Sequence, residues 1–183
     1  YAEISGNLGV TSNYMWRGVT QSGNSSAVSG GLDYTGTNFY AGTWISEAAT
    51  GDTEVDLYVG TEVNGFDLGI IKYSYPGAQG ADVTELYVGY TYNGVDLSYA
   101  VNEDDHSQEF YSVGYGFGIV EGLDGYLTYG SVDAAAAANA EDYTYLQLDV
   151  SYGDLTISLS EVDGDDTVYD TDLNYTVSYG WAF

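Results

Sequence analysis

The charged side chains are the residues of this chain that could do chemistry, and their two signs are very unequal. The 183 residues include 28 Asp and Glu but only 2 Lys and Arg, which gives a formal net charge of -26. The two cations are Arg17 and Lys72. A chain of this charge repels phosphate backbones, so nucleic acid is excluded as a class of partner. The composition favours cations as the ions that approach it.

Several carboxylates stand on the polar parity of alternating segments, which places them on one face of a strand. If that face lines a pore, the carboxylates give it a preference for cations, and the two basic residues set a local constriction. The alternative is that the two cations only neutralise buried carboxylates, because an unpaired interior charge is costly. The predicted lining residues are Glu54, Asp56, Glu62, Glu85 and Asp149, together with Arg17 and Lys72.

A second acidic group lies in the segment VDGDDTVYD near the end of the chain. Asp163, Asp165 and Asp166 are the candidates there for loosely bound divalent cations such as calcium, although their spacing is not that of an EF-hand. The alternative is a diffuse, solvated acidic surface. The chain has no cysteine, so disulfides and thiolate metal sites are excluded, and we expect no further cofactor.

The sequence gives little support to an enzyme. His106 is the sole histidine and lies in the acidic segment NEDDHSQE. An outer-membrane phospholipase needs a histidine and a serine held together at the lipid face, and a loop histidine does not meet that need. We therefore predict no enzymatic activity, while an acid–base pair formed by two of the 28 acids stays open.

The segments that would position these residues alternate with a period of two. In Asp172–Phe183 one parity is wholly apolar or aromatic and the other is small or polar, which predicts a strand with one apolar and one polar face. A chain that stops on an aromatic residue in such a strand is typical of bacterial outer-membrane barrels. The apolar parity is Leu173, Tyr175, Val177, Tyr179, Trp181 and Phe183.

About twelve such segments follow one another, and their connections alternate between short turns and longer, mostly acidic loops. Asn64-Gly65 and Asn93-Gly94 are two-residue hairpin signals. An even strand number with unequal connections at the two ends is the pattern of an outer-membrane barrel. We therefore predict an all-β fold, a transmembrane up-and-down antiparallel β-barrel of about 12 strands, with residues 1–183 as a single domain. A soluble β-sandwich and a β-rich surface fibre are the alternatives.

Three segments are harder to assign to faces. The apolar parity that begins at Ala2 continues to Trp16, which predicts a long first strand that ends near Arg17. The segment NFYAGTWIS carries aromatic residues on both parities. In FDLGIIKYSY the predicted phase places Ile71, Tyr73 and Tyr75 on the outer, apolar face and directs Lys72 inward. Leu68 and Ile70 do not fit this phase, which therefore requires a bulge near Gly69.

The segment Ser12–Ser22, SNYMWRGVTQS, resembles a strand pattern of the TorF family, bacterial outer-membrane proteins described as porins and of unknown function. Three further segments are similar to features of that family: VSGGLDY at Val28–Tyr34, YAGTWIS at Tyr40–Ser46 and YSYPG at Tyr73–Gly77. The resemblance implies an outer-membrane barrel. It supplies no substrate and no catalytic residues.

Together these patterns predict an outer-membrane porin-like channel for passive diffusion of small solutes or cations through an acidic lumen. The expected surroundings are outer-membrane lipid and lipopolysaccharide, with the N- and C-termini periplasmic and the long loops extracellular. The alternative is a closed structural or interaction barrel whose acidic extracellular loops form an adhesion, receptor or cation-binding surface.

Overall fold

The computed structural model describes residues 2–48, 52–77, 82–103, 108–134 and 141–183, and strands dominate these ranges. The strands are β1 (Glu3–Thr11), β2 (Met15–Trp16), β3 (Val19–Thr20), β4 (Ala27–Thr35), β5 (Tyr40–Glu47), β6 (Thr53–Val63), β7 (Phe66–Ser74), β8 (Val83–Tyr92), β9 (Val95–Asn102), β10 (Glu109–Val120), β11 (Leu123–Asp133), β12 (Tyr143–Tyr152), β13 (Leu155–Asp163) and β14 (Asn174–Ala182).

Twelve of the strands in the described ranges close into one antiparallel barrel. From β4 to β14 each strand pairs with the next, and β1 pairs with both β4 and β14. The register of the closing pair runs from Asn7 opposite Ala182 to Thr11 opposite Ser178. The predicted up-and-down antiparallel β-barrel, with its first and last strands adjacent, is confirmed.

The connections alternate in length as the sequence predicts. Residues 36–39, 64–65, 93–94, 121–122 and 153–154 form short turns at the end of the barrel where β1 begins and β14 ends. Asn64 and Asn93 have φ of 54° and 51°, and the glycine after each also has positive φ. Both central residues of a type I′ turn need this conformation, which explains the Asn-Gly pairs. The longer connections lie at the opposite end.

The outer surface of the barrel is apolar. Every barrel strand exposes at least one large apolar side chain, so the band is continuous around the cylinder. Members of this band include Leu8, Leu32, Ile45, Leu57, Leu68, Leu86, Leu97, Val113, Leu127, Leu146, Ile157 and Val177. No helix in the described residues is long and apolar enough to cross a membrane.

The prediction that Lys72 faces the lumen is wrong. β7 pairs with β6 in continuous register, with Tyr73 opposite the buried Asp56 and Lys72 opposite the exposed Leu57. Lys72 therefore points outward, and no bulge at Gly69 intervenes between the paired residues. The prediction failed because Tyr73 was taken as a lipid-facing residue, whereas its ring lies inside the barrel.

Tyrosines fill much of the interior, and their ring faces pack on glycines of the neighbouring strand. A side chain on any of these glycines would collide with the tyrosine ring. This packing is the aromatic cover of sheet glycines that barrels use, and it resolves the facing of β5, where Tyr40 and Trp44 point inward. The pairs are Tyr40 on Gly60, Tyr58 on Gly42, Tyr87 on Gly69, Tyr126 on Gly114 and Tyr145 on Gly130.

The first strand is shorter than predicted. β1 ends at Thr11, and the following residues turn into the barrel instead of continuing along its wall. They form the small hairpin of β2 and β3, in which Met15 pairs with Thr20 and Trp16 with Val19. Alternation of apolar residues could not reveal this, because a hairpin inside a lumen follows the same period of two.

Candidate functional site in the barrel lumen

The lumen hairpin, residues Tyr14–Gln21, turns through Arg17 and Gly18. These two residues have φ of 49° and 82°, so they are the central pair of a tight turn in the left-handed region. Asn or Gly is the usual first residue of such a turn. An arginine there costs about 1–2 kcal/mol of backbone strain, which the contacts of its side chain must offset.

Buried polar side chains hold the base of the hairpin. The Asn13 carboxamide oxygen accepts from the Thr20 hydroxyl at 2.6 Å, and its Nδ2 donates to Asn24 Oδ1 at 3.0 Å. The Tyr14 backbone N–H donates to Ser22 Oγ at 2.9 Å, and the Gln21 N–H donates to the Tyr14 carbonyl at 2.7 Å. The hairpin is therefore fixed at its base rather than suspended from a loose loop.

The tip of the hairpin presses against the wall of the barrel at β12. A Cβ atom on Gly18 would lie 2.6 Å from Tyr145 Cβ, so the close approach requires glycine in addition to the positive φ. Val19 packs on the cluster that includes Val132 and Tyr143. The hairpin thus extends from the rim at β1 into the interior as far as β11 and β12.

Arg17 makes the central polar contact of the lumen. Its Nη1 and Nη2 donate to Glu85 Oε1 and Oε2, each at 2.9 Å, in a two-point ion pair. The guanidinium carbon lies 3.5 Å from the centre of the Phe110 ring and 4.9 Å from that of Trp16. Glu85 is 4% exposed, so this ion pair is largely shielded from water. A buried ion pair of this kind is held by geometry and hydrogen bonds together.

Two further carboxylates are buried beside this pair on β6. Glu54 is 2% exposed and accepts from the hydroxyls of Tyr14 at 2.8 Å and Tyr75 at 2.7 Å. Asp56 is 5% exposed, and its Oδ1 has no hydrogen-bond partner within the described residues. We call these residues the acidic wall: Glu54 and Asp56 on β6, Asp67 on β7 and Glu85 on β8. Its four carboxyl groups carry more negative charge than Arg17 can neutralise.

Two cavities meet at the Arg17–Glu85 pair. The first, of about 300 Å³, extends toward the short turns and is also lined by Tyr87 and Asp67. The second, of about 260 Å³, extends toward the longer connections and is also lined by Glu54. Five residues line both cavities and form what we call the septum: Trp16, Arg17, Tyr73, Glu85 and Phe110.

A third cavity, of about 250 Å³, lies on the other side of the lumen hairpin and has a different chemistry. Tyr14 and Met15 form part of its lining, and the wall strands contribute neutral polar groups. The Ser178 hydroxyl donates to Thr11 Oγ1 at 2.9 Å. We call the lining hydroxyl groups on the strands the hydroxyl wall: Thr11, Ser29, Ser158, Thr176 and Ser178.

The structure brings together four of the predicted lining residues and separates three. Arg17, Glu54, Asp56 and Glu85 converge on the inner side of the barrel. Glu62 keeps the inward parity of β6 but is exposed near the short-turn rim, where it lies opposite Asp67 of β7 in the strand register. Asp149 faces inward on β12 and accepts from Gln147 Nε2 at 3.0 Å. Lys72 lies outside and pairs with Asp82 at 3.1 Å.

The aromatic members of the septum escaped prediction from the sequence. Trp16 shares the apolar parity of the predicted first strand, which assigns it to the outer face. Phe110 falls on the inward parity of its strand, but no local pattern indicates its contact with Arg17. The sequence signal that could have indicated the septum is the segment Ser12–Ser22. In the structure nearly every residue of this segment makes a specific contact. Ser12 Oγ accepts from the Val177 N–H at 2.9 Å, and the later residues build the lumen hairpin.

The acidic loop near the end of the chain shows local hydrogen bonds. The Thr167 N–H and hydroxyl donate to Asp165 Oδ1 at 2.8 and 2.6 Å, and these bonds hold the pKa of Asp165 below its usual value. No group of three or more metal-binding side chains occurs within the described residues. Calcium binding by Asp163, Asp165 and Asp166 stays a prediction. His106 lies outside the described residues.

One family model matches nearly the whole chain. A model of the family described as "Bacterial protein of unknown function (Gcw_chp)" matches residues 2–181. The comparison with curated proteins gives no match. The family match does not carry the TorF name, so that resemblance stays a prediction.

One solved membrane-protein structure shares the fold at low identity, and a second has a lower TM-score. A chain from a study of the in-meso crystallization of membrane proteins has a TM-score of 0.54 and 8% identity, over 98% of this chain and 84% of that chain. OccAB3 of Acinetobacter baumannii has a TM-score of 0.45 and 14% identity over 96% of this chain. This chain spans 60% of the length of OccAB3. At such identities the likeness shows the fold alone.

Proposed function

The chain belongs to the Gcw_chp family of bacterial proteins of unknown function, and from that premise we propose that it is an outer-membrane channel. In this proposal it is porin-like, passes small solutes by passive diffusion and prefers cations. One observation carries the proposal: the lumen holds two cavities that meet at a septum, and buried carboxylates surround the meeting point.

The outer surface supports a place in a membrane. The barrel strands are 8 to 12 residues long, which matches the roughly 9–11 residues that a strand needs to cross a bilayer. The continuous apolar band suits lipid chains, and closure leaves no unpaired strand edge. In the outer membrane the short turns and both termini would lie in the periplasm and the longer acidic loops outside. Divalent cations would then bridge these loops to anionic lipopolysaccharide.

The charge of the acidic wall supports the preference for cations. Glu54, Asp56 and Glu85 are buried around the septum, and Arg17 supplies the single opposing charge contributed by the hairpin. Carboxylates that line a narrow, low-dielectric passage lower the energy of a cation inside it and raise that of an anion. Arg17 then sets the width and the local field of the passage.

Planar-bilayer recording tests this function. The purified protein is reconstituted, and the reversal potential is measured in a potassium chloride gradient. We expect a conductance whose reversal potential shows cation preference, and a reduced preference in Glu85→Gln. The matched control is Lys72→Gln, which removes a charge from the outer surface and leaves the preference unchanged. Anion preference in the wild type would contradict the proposal.

The septum also favours a second function, a closed barrel that serves as a structural or interaction protein. The lumen hairpin crosses the interior, and its Arg17 donates to Glu85 on β8 and packs on the ring of Phe110 on β10. In that case the acidic loops would form an adhesion, receptor or cation-binding surface. Absence of conductance in the wild type and in Arg17→Ala would favour this closed barrel. Neither function requires a catalytic group, and we propose no enzymatic activity.

A further inference from the structure

The guanidinium of Arg17 lies in a site that other parts of the chain form. We call this site the seat, and its residues are Glu85, Phe110 and Tyr73. Glu85 on β8 supplies two carboxylate oxygens at 2.9 Å, and Phe110 on β10 supplies a ring 3.5 Å from the guanidinium carbon. The Tyr73 hydroxyl, 3.4 Å from Glu85 Oε2, helps to orient the carboxylate. The seat therefore belongs to the barrel wall and only its occupant belongs to the hairpin.

The chemistry of this seat selects a particular class of ligand. A carboxylate that offers both oxygens side by side matches a planar cation with parallel N–H groups. An aromatic ring beside it adds attraction for a weakly hydrated cation over a strongly hydrated one. A guanidinium ion meets both conditions, an alkylammonium ion meets the second, and a sodium ion meets neither.

The backbone of Arg17 is strained, whereas the backbone of the residues that form the seat is not. Arg17 has φ of 49°, and its seat residues lie in regular strands that pair on both sides. Cavities of about 300 and 260 Å³ reach the seat from the two ends of the lumen. A ligand in either cavity could therefore approach the seat without disturbing the barrel wall.

We propose that Glu85 and Phe110 form a binding site for small organic cations of the guanidinium class, and that the Arg17 side chain is its built-in occupant. A free cation of this class competes with Arg17 for the carboxylate. The transport role of the site rests on the proposed channel function, whereas binding itself does not. In the channel, such cations would be the solutes whose passage the septum governs.

Removal of the built-in occupant tests the site. Arg17→Ala, purified in detergent, leaves the seat empty, and guanidinium chloride is added at millimolar concentrations. We expect a saturable rise in melting temperature and saturable shifts in the NMR signals of a ¹³C-labelled guanidinium probe. Arg17→Ala/Glu85→Gln should show neither effect, and the wild type should respond only at several-fold higher concentrations because Arg17 competes for Glu85. Sodium chloride at equal ionic strength should not reproduce the response. Phe110→Leu in the Arg17→Ala background should weaken binding several-fold.

Two controls keep the outcome decisive. Folding of each variant is checked by its β-sheet circular dichroism and by its mobility on unheated gels, and Arg17→Gly, which suits the positive φ at this position, replaces Arg17→Ala if the latter does not fold. Saturable binding by the double variant, or none by a folded Arg17→Ala, overturns the site. Bilayer recording of the same samples separates the two proposals: binding without conductance supports the site and rejects the channel.

Discussion

The acidic wall and the hydroxyl wall are formed by the same kind of strand, but their polar side chains find hydrogen-bond partners in different ways. On the acidic wall, Glu54 and Glu85 are 2% and 4% exposed and take their partners from the lumen hairpin and from tyrosines. On the hydroxyl wall, Thr11 and Ser178 bond to each other across the strand pair. The first wall therefore depends on an inserted segment, and the second is satisfied within the sheet.

This difference shows where the barrel concentrates its chemistry. A buried carboxylate without a partner is far more costly than a buried hydroxyl without one, so charge on a wall requires a compensating structure. The lumen hairpin supplies it through Tyr14 and Arg17. It also separates the two walls, because cavities of different lining lie on its two sides. The buried carboxylates Glu54, Asp56 and Glu85 consequently lie together on one side of the hairpin.

Loss of Arg17 should have the largest effect on stability. Arg17→Ala leaves the Glu85 carboxylate buried and unpaired, and removal of one partner of a buried pair costs about 3–5 kcal/mol. Urea unfolding in detergent micelles measures this loss. The double variant Arg17→Ala/Glu85→Gln should recover a large part of it. On the hydroxyl wall, Ser178→Ala should cost about 0.5–1.5 kcal/mol, the value of the one ordinary hydrogen bond that Ser178 donates to Thr11. Equal losses on both walls would contradict the comparison.

Gly18 should rank second, because it places the hairpin tip against the wall. Gly18→Ala combines positive φ with a collision at Tyr145 and should cost about 2–3 kcal/mol. Gly153→Ala is the matched control, since Gly153 has φ of 56° and no atom within 4 Å of the added methyl group. That control should cost about 1 kcal/mol. If the two variants unfold alike, the tip does not press on the wall.

The Tyr14 hydroxyl should have a smaller effect. Tyr14→Phe keeps the ring against Trp44, 5.3 Å between ring centres, and removes one of two donors to the buried Glu54. A hydrogen bond to a charged group contributes about 1.5–3 kcal/mol. Because Tyr75 still donates, we expect the lower end of that range in the same unfolding assay. Tyr34→Phe on the outer surface is the control and should unfold as the wild type does.

Lys72 should have the smallest effect. Its partner Asp82 is exposed, and the pKa of that carboxyl is lowered first by the Tyr75 N–H and then by Lys72. A lowered folded-state pKa stabilises the protein above the unfolded-state value of about 4, and the contribution is lost as the pH falls through the folded-state value. Lys72→Ala should leave unfolding at neutral pH unchanged and slightly flatten the loss of stability in acid. A marked loss at neutral pH would indicate an interior role for Lys72.

The barrel could be predicted from the sequence because its determinants are local and repeated. Apolar and polar residues alternate along β14 and β12, and Asn64-Gly65 and Asn93-Gly94 require tight turns. Many strands repeat the same signal, so one ambiguous segment such as β7 cannot change the architecture. The outward-facing apolar band follows directly from that alternation.

The septum could be predicted only in part. Carboxylates on the polar parity were expected inside, and Glu54, Asp56 and Glu85 are there. The direction of the Ser12–Ser22 segment depends on long-range contacts, such as Arg17 with Glu85, that no local pattern contains. The aromatic interior was missed for a related reason: a tyrosine can pack on a glycine of the next strand inside a lumen as well as face lipid. Tyr73 was assigned to the wrong face on that ground.

The conductance of Arg17→Ala relative to the wild type tests the central claim most directly. If ions pass along the acidic wall through the septum, removal of the guanidinium widens the narrowest contact and leaves Glu85 facing the path. We predict a conductance several-fold above that of the wild type, with a stronger preference for cations, whereas Thr176→Val on the hydroxyl wall behaves as the wild type does. A folded Arg17→Ala with the conductance and selectivity of the wild type would contradict the account.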